Sequence, residues 1–215
     1  MAKEKMNTHK LIQWAVVPLM VITIAFGWHF PAIGFIVPIV MFTAIFVGFF
    51  RGRYVCGNLC PRGSFYDRVL AKISVKKPIP QFLFNKTFRW IIVICLMGFM
   101  VFRITSNPSS WQHWGRTFWL MCVVTSAVGI ALGLFVRERT WCAFCPIGTI
   151  QNAIGQGKYQ LMIDGDLCIE CKKCEKVCPI GLKPYLYKDN GVMAEGDCIK
   201  CGNCIRSCPK QALTF

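Results

Sequence analysis

Residues Cys56–Ser64 read CGNLCPRGS at the end of a long uncharged run, and residues Cys142–Thr149 read CAFCPIGT at the end of another. Each copy follows a basic pair, Arg51 and Arg53 or Arg137 and Arg139, and each continues as Cys-Pro-x-Gly-Ser/Thr. Proline and glycine break the chain out of the preceding helix, and Ser64 or Thr149 is placed to cap a short helix that follows. Punctuation repeated in this way implies that the apolar runs before it are repeated too.

Uncharged stretches at about residues 11–28, 32–50 and 117–136, and a helix at about 88–106 with Arg89 and Arg103 toward its two ends, are each close to the ~20 residues that cross hydrocarbon. With 54% hydrophobic residues, the 215-residue chain is too apolar for an ordinary soluble domain. The first run is not a cleavable signal peptide, because no small-residue cleavage site follows it and a second apolar run begins almost at once. The expected fold is an α-helical membrane protein with four transmembrane helices in a parallel internal repeat, residues 1–159, joined to a small α+β domain at 160–215.

Charge sets the expected orientation. Lys3, Lys5 and Lys10 precede the first run, and Arg51, Arg53, Arg62, Arg68, Lys72, Lys76, Lys77, Lys86 and Arg89 lie between the second and third; the other side has Arg116, with Arg103 near that end. Basic residues beside spans stay cytoplasmic, so both termini and the tail are expected on the cytoplasmic face of a bacterial or archaeal inner membrane. The same bias explains most of the formal +15 charge without a nucleic-acid partner.

Of 14 cysteines, 12 fall on the reducing side, where clustered thiols are metal ligands rather than disulfides. Residues 168–181 read CIECKKCEKVCPIG and residues 198–211 read CIKCGNCIRSCPKQ, two copies of C-x2-C-x2-C-x3-C-P. In that run three thiolates wrap one cubane and the fourth reaches the other cluster. Cys168, Cys171, Cys174 and Cys208 are therefore expected to hold one [4Fe–4S] cluster, and Cys198, Cys201, Cys204 and Cys178 a second. Zinc would use paired cysteines and has no need of the third cysteine before C-P. The tail resembles a bacterial two-cluster ferredoxin, which implies two short hairpins and two short helices.

A parallel repeat packs about an axis along the membrane normal, which would bring Cys56 and Cys60 to Cys142 and Cys145. Four thiolates suit a further iron–sulfur cluster or one tetrahedral metal; structural thiols or a redox dithiol are the alternatives. Segment 64–76 places Phe65, Val69 and Ile73 at helical spacing between basic residues, as a helix along the headgroup plane would.

Four spans, two Cys-Pro motifs and a C-terminal two-cluster domain resemble the NapH- and NosR-like membrane polyferredoxins, a family that includes the oxidase-assembly member CcoG. The resemblance covers nearly the whole chain. It implies an electron-transfer subunit working between a quinone pool, or a soluble ferredoxin or flavoprotein, and the redox subunits of a larger complex; the alternative is an assembly factor supplying electrons to a metal site. The family usually writes C-x3-C-P in both places, whereas this chain has C-x2-C-P at Cys142–Cys145.

No nucleophile, acid–base pair or nucleotide loop stands out, which points away from stand-alone bond chemistry. Facing histidines for a transmembrane haem are also missing: His9, His29 and His113 all fall outside the expected spans. Trp28, Trp111, Trp114 and Trp119 suggest an outer aromatic belt, within which Arg103 and His113 are the candidate partners of a quinone headgroup. Cys95 and Cys122 fall mid-span and read as small buried hydrophobes, and Gly129-x-x-x-Gly133 suggests close helix packing.

Overall fold

A computed structural model describes the backbone of residues 2–215 and side chains from His9 onward; Lys3 and Lys5, counted above toward orientation, lie outside the described side chains. Four helical stretches are long and apolar enough to cross a membrane. The first is α1 (Ala2–Phe26), apolar over His9–Phe26; the second, Pro31–Arg51, is built from α2 (Pro31–Gly34) and α3 (Ile36–Arg51). After α4 (Tyr54–Asn58) and α5 (Pro61–Arg68) come the other two, α6 (Lys86–Thr105) and α7 (Trp111–Phe135). Their outward faces are apolar: Phe42, Ile94, Phe102 and Phe135 are all more than two-thirds exposed.

The fourth helix begins at Trp111, six residues before the expected start, because the Ser110 side chain caps it by accepting from the His113 N–H. That cap satisfies one of the backbone donors orphaned at every helix start. Gly34 and Gly115 lie backbone to backbone where α2 crosses α7; a Cβ on Gly34 would sit 2.1 Å from the Gly115 carbonyl. The missing side chains of Gly129 and Gly133 leave room for Tyr66 and Leu70, so the helix they let approach closely is the segment after the first Cys-Pro motif.

That segment, α5 and the 3-10 turn Leu70–Lys72, is pinned by Tyr66 and Leu70, both fully buried, while Val69 and Ile73 face outward. The second motif forms the matching α8 (Thr140–Phe144) and α9 (Pro146–Ile154), so the order long helix, short helix, Cys-Pro, short helix occurs twice.

The tail holds β1 (Leu161–Ile163), α10 (Lys173–Lys176), β2 (Val192–Met193), α11 (Asn203–Ser207) and β3 (Leu213–Thr214). In place of two separate hairpins there is one antiparallel sheet of order β2-β1-β3, with Leu161 opposite Met193 and Ile163 opposite Leu213. Leu161, Ile163, Met193 and Leu213 form its small core, and cysteines of both runs pack around them. At roughly 1.5–3 kcal/mol per buried side chain, such a core is too small to order this tail alone.

Candidate metal centres

In the tail, Cys168, Cys171, Cys174 and Cys208 line one cavity, and Cys178, Cys198, Cys201 and Cys204 line another. The two ligand loops share one backbone design. Glu170 and Lys172 flank Cys171 with φ of 51° and 58°, and Lys200 and Gly202 flank Cys201 with φ of 55° and 70°. Left-handed residues on either side of a cysteine cost strain in three of these four cases, and they curl the loop into a concave nest of amides suited to an anionic group. The Leu182 N–H, for its part, donates to Cys178 Sγ at 3.3 Å.

Without a bound cation these thiols resist ionisation. Burial pushes Cys201 up to about 12, against a backbone hydrogen bond at Asn203, and raises Cys198 and Cys204 as well. Among the described residues, no three Cys, His, Asp or Glu side chains converge tightly enough for a single metal ion. Four cysteines spaced around a cavity fit a polynuclear cluster, whose iron corners are separate, better than one tetrahedral ion.

The repeated motif builds a third such arrangement. Cys56, Cys60, Cys142 and Cys145 line a cavity of about 170 Å³ at one end of the helix bundle. Cys56 and Cys142 are each the third residue of a short helix, α4 and α8, while Cys60 and Cys145 stand just before the prolines that open α5 and α9. The spacing difference is absorbed locally. The Cys145 N–H bonds to the Trp141 carbonyl at 2.9 Å and the Cys60 N–H to the Val55 carbonyl at 2.9 Å; Trp141 and Val55 each immediately precede the first cysteine of their motif. The first motif's extra residue is taken up at the Val55 carbonyl, which accepts both the Leu59 N–H at 3.0 Å and the Cys60 N–H, so Leu59 keeps the i−4 bond and Cys60 closes by an i−5 bond.

Ser64 and Thr149 are not the helix caps expected of them. Proline at the first helical position is already set for the helix, so the helices start at Pro61 and Pro146, and the Ser64 and Thr149 N–H groups instead bond to the Cys60 and Cys145 carbonyls at 2.8 Å.

Two arginines cross between the halves of the repeat. Arg53, three residues before Cys56, donates to the Cys142 carbonyl; Arg139, three residues before Cys142, donates to the Cys56 carbonyl at 2.8 Å and reaches Cys142 Sγ at 3.6 Å. Each guanidinium occupies the place where a Cβ would stand on the glycine of the opposite Cys-Pro-x-Gly, Arg53 at Gly148 and Arg139 at Gly63. The motif needs glycine there because a buried arginine fills the space. Burial works against the Arg53 charge, but Cys56, Asp197, Cys142 and Cys145 outweigh it and hold its pKa above the usual value. Arg139 is raised in the same way, burial being overcome first by Asp67, which accepts from its Nε at 2.8 Å and Nη2 at 2.6 Å. Burial also pushes the Cys56 thiol up to about 12, opposed by Arg53; as a thiol it donates to Gln151 Oε1 at 2.7 Å.

The tail packs directly on this site. A Cβ on Gly57 would lie 2.1 Å from the Ile199 carbonyl, and Asn58 Nδ2 donates to the Lys200 carbonyl at 3.2 Å, so the helix carrying Cys56 touches the loop between Cys198 and Cys201. Asp197 clamps the contact. It accepts from Arg89 at 2.8 and 2.9 Å, from Arg53 at 3.1 Å and from Asn152 at 2.9 Å. Sequence reasoning passed over Asp197, Gln151 and the roles of Arg53 and Arg139; the one available signal was the shared Arg-x-Arg-x-x-Cys phrase.

At the opposite end of the bundle, His113 Nε2 lies 2.7 Å from the Arg103 carbonyl oxygen, and Trp28 packs on Trp119 with ring centroids 5.4 Å apart. The cavity's wall includes Met100 and Phe118, which stand three residues from Arg103 and five from His113. Cys122 also lines the cavity. Cys95 is exposed on the outward face with Ile91 and Ile94, not buried, because the helix turns that stripe away from its neighbours.

Stretches 33–80 and 115–161 both match a family described as a 4Fe-4S binding domain, one stretch in each half of the repeat, and residues 160–209 match a 4Fe-4S dicluster domain. An uncharacterized protein of Methanocaldococcus jannaschii is 26% identical over 80% of this chain and 68% of its own length. An Escherichia coli protein named for electron transport, YccM, is 29% identical over 43% of this chain and 26% of its own. The NAD(P)H-quinone oxidoreductase subunit I of Gloeobacter violaceus is 37% identical over 22% of this chain and 28% of its own. No solved structure matches. The matches support an iron–sulfur electron-transfer role.

Proposed function

We propose that this chain is a membrane-embedded electron-transfer subunit whose three four-cysteine cavities form a one-electron relay between a redox partner docking on the tail and an apolar partner reaching the bundle, for which a quinone is the fitting chemistry. The observation that supports this reading is the seating of the Cys198–Cys201 loop on the helix of Cys56, a contact through which the repeat's cysteines would pass electrons to those of the tail.

Iron–sulfur clusters bound by these cysteines would supply one-electron redox capacity at potentials the protein sets. Arg53, Arg62 and Arg139 supply positive charge beside the repeat's cysteines, opposing the negative charge of four thiolates in a dry setting. The bundle wall, with Met20, Val40 and Met97, keeps water from the site and leaves an apolar space that supports a hydrophobic electron carrier; Arg103 and His113, near its far end, are the headgroup candidates. The printed name of the Gloeobacter relative adds support for a quinone-linked role. In this reading the four long helices span the inner membrane, the tail is cytoplasmic, and the basic loops face anionic headgroups.

Anaerobic purification with iron and acid-labile sulfide assay tests the reading. About twelve irons per chain are expected, four for each cubane, with Cys56→Ser and Cys142→Ser each losing about a third. Unchanged iron in both variants refutes the third site, and clusters in proteoliposomes that no quinol reduces refute the quinone link.

A further inference from the structure

A second cleft opens between the membrane domain and the tail. Its volume is about 290 Å³, and its walls are His9 and Lys10 of α1, Arg68 at the end of α5, and Val177, Asn203, Arg206 and Ser207 of the tail. Among the described residues its lining holds three permanent cations and a histidine with no carboxylate. Asp67, the residue before Arg68, is spoken for: it accepts from Arg139 and, at 3.0 Å, from Gln13. Arg68 donates to Gln13 and Arg206 to the Cys201 carbonyl at 2.8 Å, but His9 Nε2 and Arg68 Nε are buried with no hydrogen-bond partner. Burial and the facing Arg206 lower the Arg68 pKa, with Asp67 opposing. Among the described residues, the cleft's lining therefore carries a net positive charge.

Its position says which anion. Lys10 stands at the head of the apolar stretch His9–Phe26, and Leu11, Trp14 and Val69 beside it are exposed and apolar. A cationic pocket directly above an apolar face matches a molecule with a phosphate head and hydrocarbon tails.

We propose that this cleft binds the phosphate of an anionic phospholipid, which bridges α1 and α5 to α11 and fastens the tail to the membrane domain. The proposal rests on reading the long helices as membrane spans.

The full-length protein, washed extensively in neutral detergent, is assayed for retained phosphatidylglycerol by native mass spectrometry, beside Lys10→Gln/Arg68→Gln and each single variant. Wild type is expected to retain phosphatidylglycerol over phosphatidylcholine, and the double variant to lose about thirtyfold in retention, about fivefold for each basic side chain removed. Equal retention in wild type and double variant overturns the proposal. Protection of wild type by inorganic phosphate alone, with no lipid preference, assigns the site to free phosphate and overturns the lipid. Unchanged lipid retention with lost reduction by an acidic soluble ferredoxin makes it a protein-docking face and also overturns it. Extraction of both proteins by alkaline carbonate would instead refute the spanning helices.

Discussion

Asp197 offers the sharpest test of how the tail is held. It accepts from two guanidiniums whose side chains are 1% and 4% exposed, and it sits one residue before Cys198. Removing one partner of a buried pair costs about 3–5 kcal/mol, because the other charge is left without compensation. One carboxylate here serves two cations, so Asp197→Ala belongs at the top of that range, on the order of 5 kcal/mol. At about 1.4 kcal/mol per tenfold, the ratio of docked to released tail falls by roughly a thousandfold or more. Asp197→Asn keeps an acceptor oxygen and should cost about half as much. Limited proteolysis of detergent-purified protein reads the release directly: cleavage between Ile154 and Leu161 should accelerate in the order wild type, Asn, Ala. Adding Arg89→Met to Asp197→Ala should recover part of the loss by deleting one orphaned charge. Wild-type proteolysis in Asp197→Ala, or no recovery with Arg89→Met, would refute the clamp.

Three further outcomes follow. Gly57→Ala pushes a methyl against the Ile199 carbonyl, a backbone atom that cannot swing aside, and should loosen the tail by about 1–3 kcal/mol, seen as faster proteolysis with the iron content of the membrane domain retained. In iron-free protein, iodoacetamide mapped by mass spectrometry should label the exposed Cys171 ahead of Cys56, Cys201 and Cys204, whose thiols burial raises. Cys56 and Cys201 have folded values of about 12 against a reference of 9.0, so the unfolded chain ionises first and iron-free protein should lose stability as pH rises from about 9 toward 12.

Local rules carried the reading as far as local rules reach. The four long helices follow from uncharged runs, and the grouping of Cys178 with the second tail run from spacing alone. The fourth helix start was missed because the Ser110 cap outweighed the polar residues His113 and Arg116, which hydropathy counts against a span. Gly129 and Gly133 marked a close approach without naming its partner, because periodicity marks a cleft without saying which side chain fills it. The clamp at Asp197 lay beyond sequence reading for a stronger reason: its partners Arg53, Arg89 and Asn152 are 144, 108 and 45 residues away, and nothing in one sequence links an acid to a base over such distances.

The unequal spacing of the two Cys-Pro motifs threatens the symmetry of the repeat, and the hydrogen bonds show why it does not break it. In both halves the second cysteine's N–H closes on the carbonyl just before the first cysteine, at 2.9 Å each, so the cysteines are positioned by an equivalent closure and not by residue count. Leu59 is left over, 41% exposed and outside the cysteine lining of the cavity. The neighbouring Gly57 and Asn58, in contrast, are committed to the tail. Deleting Leu59 should therefore convert the first motif to the closure of the second and leave iron content at the wild-type level, whereas deleting Asn58 should release the tail. Loss of iron on Leu59 deletion to the level of Cys56→Ser would mean that the wider turn itself sets the site, and the equivalence of the two halves would fall with it.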